Sequence, residues 1–392
     1  MKSFDVAIIG AGIHGVGAAQ ALAAAGYSVV VIEKNAIASG TSSKSSKLIH
    51  GGLRYLESYQ FSLVRKSLKE RGVLCRIAPD LVKLIPFYIP IYKSTKRRPW
   101  QIRLGLSVYA LLGGLSASTR FKHLSVNVIK ALNGLKQSQL ESVYQYYDGQ
   151  TDDKKLTQAV MRSAEQLGAL LLCPVQVEKI TRIDKGFNLN VVSGNTKRSI
   201  KKKSIKAQCI VNAAGPWVNQ VNALTEPEAK VLNVDLVQGT HIIIDAVNTD
   251  GIYYLEAEDQ RAVFVMPYVL DGIKRTLIGT TEKLYTGDAD SIEATQEEID
   301  YLLKTYKNYF SSTTKVKVLK SFAGCRVLPN NEGSIFSRAR DTVLHWSLPG
   351  ILTCYGGKLT AYRSTSELVV QKLKPVLGKR RRIAYTKQLL LK

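Results

Sequence analysis

The chain has 392 residues, 45% hydrophobic and 22% charged, a balance typical of a globular protein with a large buried core. Lysine and arginine outnumber aspartate and glutamate by 55 to 31, and the net charge of +24 favours anionic partners such as phosphorylated molecules, acidic lipid or nucleic acid. The five cysteines form no C-x-x-C pair, which argues against a disulfide framework or a zinc site. We therefore expect a cytoplasmic protein with free thiols and no metal site.

Hydrophobic periodicity predicts an α/β frame that begins with a βαβ unit. Residues 234–281 predict several strands without a helix between them, as in a mixed or antiparallel α+β sheet inserted into that frame. Thr295 and Glu298 form a capping box that begins a helix ending at about residue 310. The other predicted helices cover 16–25, 59–77, 154–167 and 360–373, and the predicted strands cover 4–9, 28–33, 169–172, 187–192, 209–213, 236–244, 262–267, 276–279, 316–321 and 351–354, with a basic hairpin-like stretch at 195–206.

A glycine motif follows the first predicted strand. Gly10 permits a tight turn, Gly12 lets the backbone approach a pyrophosphate, and Gly15 allows the next helix to pack closely on the strand. The N-terminus of that helix attracts phosphate, and Glu33, at the end of the second strand, accepts a hydrogen bond from a ribose hydroxyl. With both strands in place, the motif predicts a Rossmann-like dinucleotide site.

The residues after this motif favour FAD over a nicotinamide nucleotide. The carboxylate of Glu33 would repel the 2′-phosphate of NADP. Residues 41–47 read TSSKSSK. Small hydroxyl side chains let the backbone run close along an extended cofactor, and the lysines can balance its pyrophosphate. We therefore predict FAD as the cofactor.

Six motifs resemble, in the same order, those of FAD-dependent glycerol-3-phosphate dehydrogenases, which belong to the D-amino-acid-oxidase-like flavoproteins. They are SKLIHGGLRYLE at 46–57, NAAGPW at 212–217, GTHI at 239–242, IGTT at 278–281, GCR at 324–326 and GGKLTAYR at 356–363. The resemblance covers nearly all of residues 1–375. It implies an enzyme that oxidises sn-glycerol 3-phosphate to dihydroxyacetone phosphate by hydride transfer to FAD and passes the electrons to a quinone or to oxygen.

The chain departs from the family in two places. The family usually carries a further C-terminal helical domain of about a hundred residues, and this chain stops soon after Lys379. We therefore expect that domain to be absent and residues 376–392 to form a basic tail. Val327 stands where a proline is common, which affects only the local loop. The expected FAD-binding domain comprises 1–85, 150–225 and 320–375, and the expected substrate domain comprises 86–149 and 226–319.

The motifs and the resemblance together predict the cofactor-binding residues. Thr360 begins a helix whose N-terminus could stabilise negative charge on reduced flavin, or it serves simply as an N-cap. His14 lies inside the glycine turn and is expected to pack beside the cofactor. The full predicted set is Gly10, Gly12, Ile13, His14, Gly15, Glu33, Thr41, Ser42, Ser46, Lys47, Leu48, His50, Gly51, Gly52, Val177, Ala213, Gly215, Trp217, Gly324, Arg326, Gly357, Lys358, Leu359 and Thr360.

Basic residues inside these motifs predict a site for the substrate phosphate. Guanidinium groups match phosphate oxygens bidentately. The resemblance favours Arg54 and Arg326 as phosphate ligands and places Lys358 close to flavin and substrate. Tyr55 and Arg340 complete the predicted substrate-binding set.

Two histidines are candidates for the base that takes the hydroxyl proton. His50 and His241 lie in matched motifs, and histidine is the natural base near neutral pH. The residues do not separate the two, and His50 could instead orient the flavin. The predicted catalytic residues are His50, His241 and Arg326.

Two other functions remain open at this stage. One is an FAD oxidase or dehydrogenase of another small anion, either a hydroxy acid or an amino acid, although the cationic cluster favours a doubly charged phosphate. The other is a basic nucleic-acid-binding protein, suggested by the net charge and the three lysines at 201–203. No nucleic-acid motif supports it, so we expect no nucleic-acid partner.

Residues 97–115 predict a helix at a membrane surface. The apolar run 104–115 is too short to span a bilayer. Next to it lie Arg97, Arg98 and Arg103, and Trp100 and Tyr109 suit a lipid interface. We expect peripheral binding to the inner face of the cytoplasmic membrane, assisted by the basic tail. The alternative is a core helix with a solvated cationic edge.

Overall fold

The computed structural model describes residues 3–132, 134–193, 201–247, 251–311, 315–330 and 341–392. These residues form two large sheets and eight α-helices. The strands are β1 (Ser3–Ile9), β2 (Val29–Ile32), β3 (Leu48–Ile49), β4 (Val82–Tyr92), β5 (Lys122–His123), β6 (Leu140–Thr151), β7 (Leu170–Leu172), β8 (Gln176–Ile183), β9 (Gly186–Ser193), β10 (Lys201–Asn212), β11 (Thr225–Glu226), β12 (Val234–Ile244), β13 (Ile252–Glu256), β14 (Ala262–Leu270), β15 (Ile273–Gly279), β16 (Lys283–Tyr285), β17 (Val318–Pro329), β18 (Val343–Leu348) and β19 (Ile351–Tyr355). The helices are α1 (Ile13–Ala24), α2 (Phe61–Ile77), α3 (Pro99–Leu112), α4 (Val126–Lys130), α5 (Asp153–Gln166), α6 (Val218–Ala223), α7 (Gln296–Tyr309) and α8 (Tyr362–Leu377).

The first sheet contains the predicted Rossmann-like unit, so the α/β frame is confirmed. Its strands run in the order β11-β8-β9-β10-β1-β2-β7, with β19 beside β10 and β18 beside β19. Strand β1 pairs in parallel with both β2 and β10, and α1 packs against α5 and α8. Because the carboxyl ends of parallel strands meet at one edge, the residues that follow Ile9, Ile32 and Asn212 converge there.

The second sheet is mixed and mostly antiparallel, as residues 234–281 predicted. Its order is β16-β12-β15-β14-β13-β4-β6-β3, with β17 beside β12 and β5 beside β6. Only part of it was predicted, because neither β4 nor β6 was identified from the sequence, although the two strands pair along the whole of β4. Within the described residues, no helix is both long and apolar enough to cross a membrane.

Strand β17 differs from the expected domain boundaries. Residues 320–329 were expected in the FAD-binding domain, yet β17 pairs antiparallel with β12 along most of its length. Its pairing partner therefore assigns this strand to the second sheet. The pairing sets Gly324 opposite Gly239 and Phe322 opposite His241, and this register brings two of the predicted motifs side by side.

The basic tail is docked on the C-terminal ends of α1 and α2. The backbone N–H of Ile383 donates to the Ala24 carbonyl at 2.8 Å, and the N–H of Leu391 donates to the Ile77 carbonyl at 2.7 Å. Arg380 pairs with Asp5 at 3.1 Å. The tail therefore packs against the protein, and part of its charge is already compensated.

Candidate active site

A cavity of about 750 Å³ lies where the two sheets meet. The glycine turn after β1 and the residues after β2 and β10 line one end, and side chains of the second sheet line the other. The cavity brings together most residues predicted from the sequence: Gly10, Gly12, Ile13, His14, Glu33, Thr41, Ser42, Ser46, Leu48, His50, Tyr55, Val177, Ala213, Gly215, Trp217, His241, Gly324, Arg326, Gly357, Lys358, Leu359 and Thr360.

The nucleotide end of the cavity is built around Glu33. Its Oε2 accepts the N–H of Ala11 at 2.8 Å and its Oε1 accepts the N–H of Asn35 at 2.8 Å, which fixes the carboxylate beside the turn. Gly10 has φ +101°, a conformation that favours glycine. A Cβ on Gly15 would lie 1.9 Å from the Gly10 carbonyl oxygen, so Gly15 serves close packing and does not line the cavity.

Three further predicted cofactor residues lie outside the cavity lining. Gly51 and Gly52 are buried behind it, and Lys47 is paired with the buried Asp153, with Nζ 2.6 Å from Oδ1. Because Asp153 compensates the Lys47 charge, that ammonium is poorly suited to balance a pyrophosphate. Lys44, in the same hydroxyl-rich run, does line the cavity. Lys44 is therefore the lysine of this run that can balance the pyrophosphate, although the predicted set named only Lys47.

His241 is a buried, neutral imidazole. Its Nε2 lies 3.0 Å from the hydroxyl of Ser46, and its ring stacks on Phe322 with the centroids 5.1 Å apart. Burial, reinforced by the charges of Lys47 and Arg326, lowers the pKa of His241 to about 3. A proton on this ring is therefore strongly disfavoured.

His50 lies on the same cavity but is held through its backbone. Its N–H donates to the hydroxyl of Thr360 at 3.1 Å. The His50 ring meets Phe264 edge-on, with the centroids 6.4 Å apart. The imidazole therefore faces the cavity from a fixed peptide.

Cations and one acid surround the substrate end. Arg326 forms an ion pair with Glu282, Nη2 to Oε1 2.9 Å, and the ammonium of Lys358 lies 3.7 Å from the ring centroid of Tyr55. Arg54 is half-buried beside the cavity rather than in its lining. Arg340, predicted from the sequence, lies outside the described residues.

Glu298 supports this end of the cavity and was predicted only as a helix cap. The capping box with Thr295 is present. The Glu298 carboxylate also accepts the Gln238 amide at 2.6 Å and the Thr281 hydroxyl at 2.6 Å, and Thr281 Oγ1 in turn accepts the N–H of Thr240 at 2.8 Å. Burial raises the pKa of Glu298, but the hydrogen bonds from Thr281 and Thr295 outweigh it and hold the pKa below its ordinary value. One carboxylate thus connects α7 to the two motifs beside His241.

Replacing Glu298 with alanine should destabilise the protein by about 2–3 kcal/mol, because the buried hydroxyl of Thr281 loses its acceptor and the buried amide of Gln238 loses one of its two acceptors. The neighbouring Glu297 is the matched control, since its side chain is 78% exposed and, among the described residues, it pairs with the exposed Lys283. Glu297→Ala should change stability by about 0.5 kcal/mol or less. Thermal unfolding of both variants measures the difference. Equal melting temperatures for the two would contradict a supporting role for Glu298.

Comparison with known proteins covers nearly the whole chain. The DAO family, described as FAD dependent oxidoreductase, matches residues 5–363. The chain is 35% identical over 381 residues to D-erythritol 1-phosphate dehydrogenase of Brucella abortus, covering 96% of this chain and 74% of that protein. It is 37% identical over 382 residues to glycerol-3-phosphate dehydrogenase of Pseudomonas aeruginosa, covering 95% and 72%. The solved glycerol-3-phosphate dehydrogenase of Bacillus halodurans, complexed with FAD, has a TM-score of 0.76 and 26% identity, over 100% of this chain and 68% of that one.

Proposed function

Because the chain belongs to the family of FAD-dependent oxidoreductases, we propose that it oxidises sn-glycerol 3-phosphate to dihydroxyacetone phosphate. The predicted family, enzyme class and FAD cofactor are confirmed by the family match and the curated relatives. One observation carries the proposal. A single cavity joins the nucleotide turn at Gly10 and Glu33 to Arg326, Lys358 and His50.

The described lining fits FAD. A Cβ on Gly12 would lie 3.2 Å from Ser42 Oγ, and a Cβ on Gly357 would lie 2.1 Å from His14 Nε2. The two glycines therefore allow the side chains of Ser42 and His14 to approach the backbone closely. The buried Nε1 of Trp217 and both ring nitrogens of His14 have no hydrogen-bond partner among the described residues. Burial lowers the pKa of His14 to about 4, so its ring is neutral near pH 7. These groups can donate hydrogen bonds to the cofactor or accept them from it.

The chain's own residues would position the substrate and move its proton. Bound FAD supplies the hydride acceptor. Lys358 would hold the substrate phosphate by a charge-assisted hydrogen bond. Arg326 would bind the phosphate as well, since its guanidinium carries five N–H donors and pairs with Glu282 through Nη2. A histidine then takes the proton of the substrate hydroxyl, while the hydride leaves the carbon that bears this hydroxyl. The low pKa of His241 favours His50 for that step.

Anaerobic reduction of the flavin tests the substrate. We expect sn-glycerol 3-phosphate to bleach the flavin absorbance of the purified protein, and glycerol, which lacks the phosphate, to do so far more slowly. D-Erythritol 1-phosphate belongs in the same panel because of the Brucella abortus relative. Faster bleaching by erythritol phosphate would reassign the substrate, and bleaching by none of the polyol phosphates would overturn the proposal.

We also propose that the electrons pass to a quinone or to oxygen and that the protein binds a membrane surface through α3. One side of this helix packs in the core, as in the alternative prediction, with Ile102 and Leu106 buried. Tyr109 was predicted to suit the lipid interface, but it is buried on this same side, so that part of the prediction is wrong. Its other side exposes Trp100 by 65% and Leu104 by 58%. An exposed apolar helix face of this kind suits the lipid headgroup layer.

The cations predicted to attract lipid are partly compensated. Arg97 pairs with Glu57 and Glu256, and Arg98 pairs with Glu141. Their attraction to anionic lipid is therefore smaller than the sequence suggested, and the apolar face becomes the main contribution. Arg103 remains exposed on α3.

The double substitution Leu104→Gln and Leu111→Gln should weaken binding to acidic vesicles at least about tenfold, since burying each leucine contributes about 1 kcal/mol or more. Leu111 is 64% exposed on the same face. The control is Leu284→Gln with Leu319→Gln, two leucines exposed by 49% and 44% on the second sheet. Co-sedimentation with phosphatidylglycerol vesicles measures the binding. No binding by the unsubstituted protein at low salt would refute the membrane proposal and favour oxygen as acceptor.

A further inference from the structure

A buried polar cluster lies behind the loop that carries His50. We call it the Tyr109 cluster and define it as Tyr109, Asp148 and Arg71. The Gly51 N–H donates to the Tyr109 hydroxyl oxygen at 2.9 Å, and that hydroxyl donates to Asp148 Oδ2 at 2.5 Å. Arg71 Nη1 donates to Asp148 Oδ1 at 2.7 Å. A continuous chain of hydrogen bonds thus leads from an ion pair to the peptide next to His50.

The three side chains of the cluster are buried. Tyr109 and Asp148 are each 1% exposed, and Arg71 is 2% exposed. Arg71 also donates to the carbonyl of Tyr147 at 2.8 Å. A Cβ on Gly51 would lie 2.4 Å from the Tyr109 hydroxyl, so only glycine allows this approach. A buried ion pair costs desolvation energy unless hydrogen bonds satisfy its charged groups. Here Arg71 donates to both Asp148 and the Tyr147 carbonyl, and Asp148 also accepts the Tyr109 hydroxyl, so Tyr109 is held in one orientation.

The loop is anchored at two consecutive peptides by different elements. Thr360, just before α8, accepts the N–H of His50, and Tyr109, on α3, accepts the N–H of Gly51. With both peptides fixed, the imidazole of His50 has only its side-chain torsions left to vary. Small displacements of a reacting group cause large losses of rate.

We propose that Tyr109 is a positioning residue for His50. Its hydroxyl connects the buried Asp148–Arg71 pair to the Gly51 amide and so fixes the position of the His50 imidazole in the cavity. The proposal rests on the proposed function in that His50 acts there on the substrate hydroxyl. Tyr109→Phe removes the connection with the least change of shape. Tyr146→Phe is the matched control, because Tyr146 is buried edge-on to Tyr109, with the ring centroids 5.8 Å apart, and its ring lies in the same core.

The bond itself can be observed without turnover. Labelling with histidine carrying ¹³C at its carbonyl and with ¹⁵N-glycine selects two amides in this chain, those of Gly15 and Gly51, since only these glycines follow a histidine. We expect Tyr109→Phe to move the Gly51 amide proton upfield, as happens when a hydrogen bond is lost, and to leave Gly15 in place. Tyr146→Phe should move neither signal. A Gly51 signal that does not move in Tyr109→Phe would overturn the proposal.

Flavin reduction then tests the consequence for chemistry. Tyr109→Phe should slow anaerobic reduction by saturating sn-glycerol 3-phosphate about tenfold, with the half-saturating substrate concentration and the Kd for FAD nearly unchanged. Tyr146→Phe should match the unsubstituted protein. An unchanged rate in Tyr109→Phe, or a loss confined to FAD binding, would also overturn the proposal. If the flavin of the unsubstituted protein is not reduced at all, the proposed function is wrong. The Gly51 signal then still decides whether Tyr109 holds the loop.

Discussion

His50→Gln should slow anaerobic flavin reduction by sn-glycerol 3-phosphate by about 10²- to 10⁴-fold, the range that a general base contributes, and His241→Gln should slow it much less. A base must gain the proton that the hydroxyl loses. Burial and the charges of Lys47 and Arg326 disfavour a proton on His241, whose pKa lies at about 3. Its Nε2 is also engaged with Ser46. The structure therefore favours one of two histidines that the sequence left equal.

Stopped-flow reduction of the pre-bound flavin is the appropriate measurement, because it separates chemistry from reoxidation. The Kd for FAD should change little in both variants, which would exclude loss of cofactor as the cause. If His241→Gln shows the larger loss, the two roles must be exchanged. If both losses are small and equal, neither histidine is the base.

Arg326→Ala should lower kcat/KM for sn-glycerol 3-phosphate roughly thirtyfold or more, which corresponds to a loss of about 2 kcal/mol in transition-state binding. Arg326 lines the cavity, and its removal would also leave the nearly buried carboxylate of Glu282 without this ion-pair partner. Arg326→Lys should recover part of the loss, since it keeps the charge but not the bidentate fork. Arg54→Ala should have a smaller effect, because Arg54 lies beside the cavity rather than in its lining.

Glycerol provides the internal control for this prediction. It lacks the phosphate, so its slow oxidation should be nearly the same in Arg326→Ala and in the unsubstituted protein. Arg162, whose guanidinium donates to the carbonyl of Lys392 at the surface, is the matched arginine, and Arg162→Ala should leave both rates unchanged. Equal losses on glycerol and its phosphate would show that Arg326 does not recognise phosphate.

The sequence by itself determined the nucleotide end of the site. Gly10, Gly12 and Glu33 act through a strand, a turn and a helix that are neighbours along the chain, so their spacing alone predicts the geometry. The capping box of Thr295 and Glu298 was predictable for the same reason, since its two residues lie three positions apart. Helix α2 also followed from periodicity.

Only the tertiary structure decided which charges are available. Lys47 is compensated by Asp153, 106 positions away, and Arg97 by Glu256, 159 positions away. No local pattern reveals such pairs, because each partner alone resembles a solvated surface charge. The Gly51–Tyr109 contact likewise joins residues 58 positions apart. Local spacing was therefore sufficient for the part of the site that is formed by the backbone of neighbouring elements. It was not sufficient where side chains from distant segments meet in a buried region of low dielectric constant. There the nearest partner decides whether a charged side chain can bind a ligand.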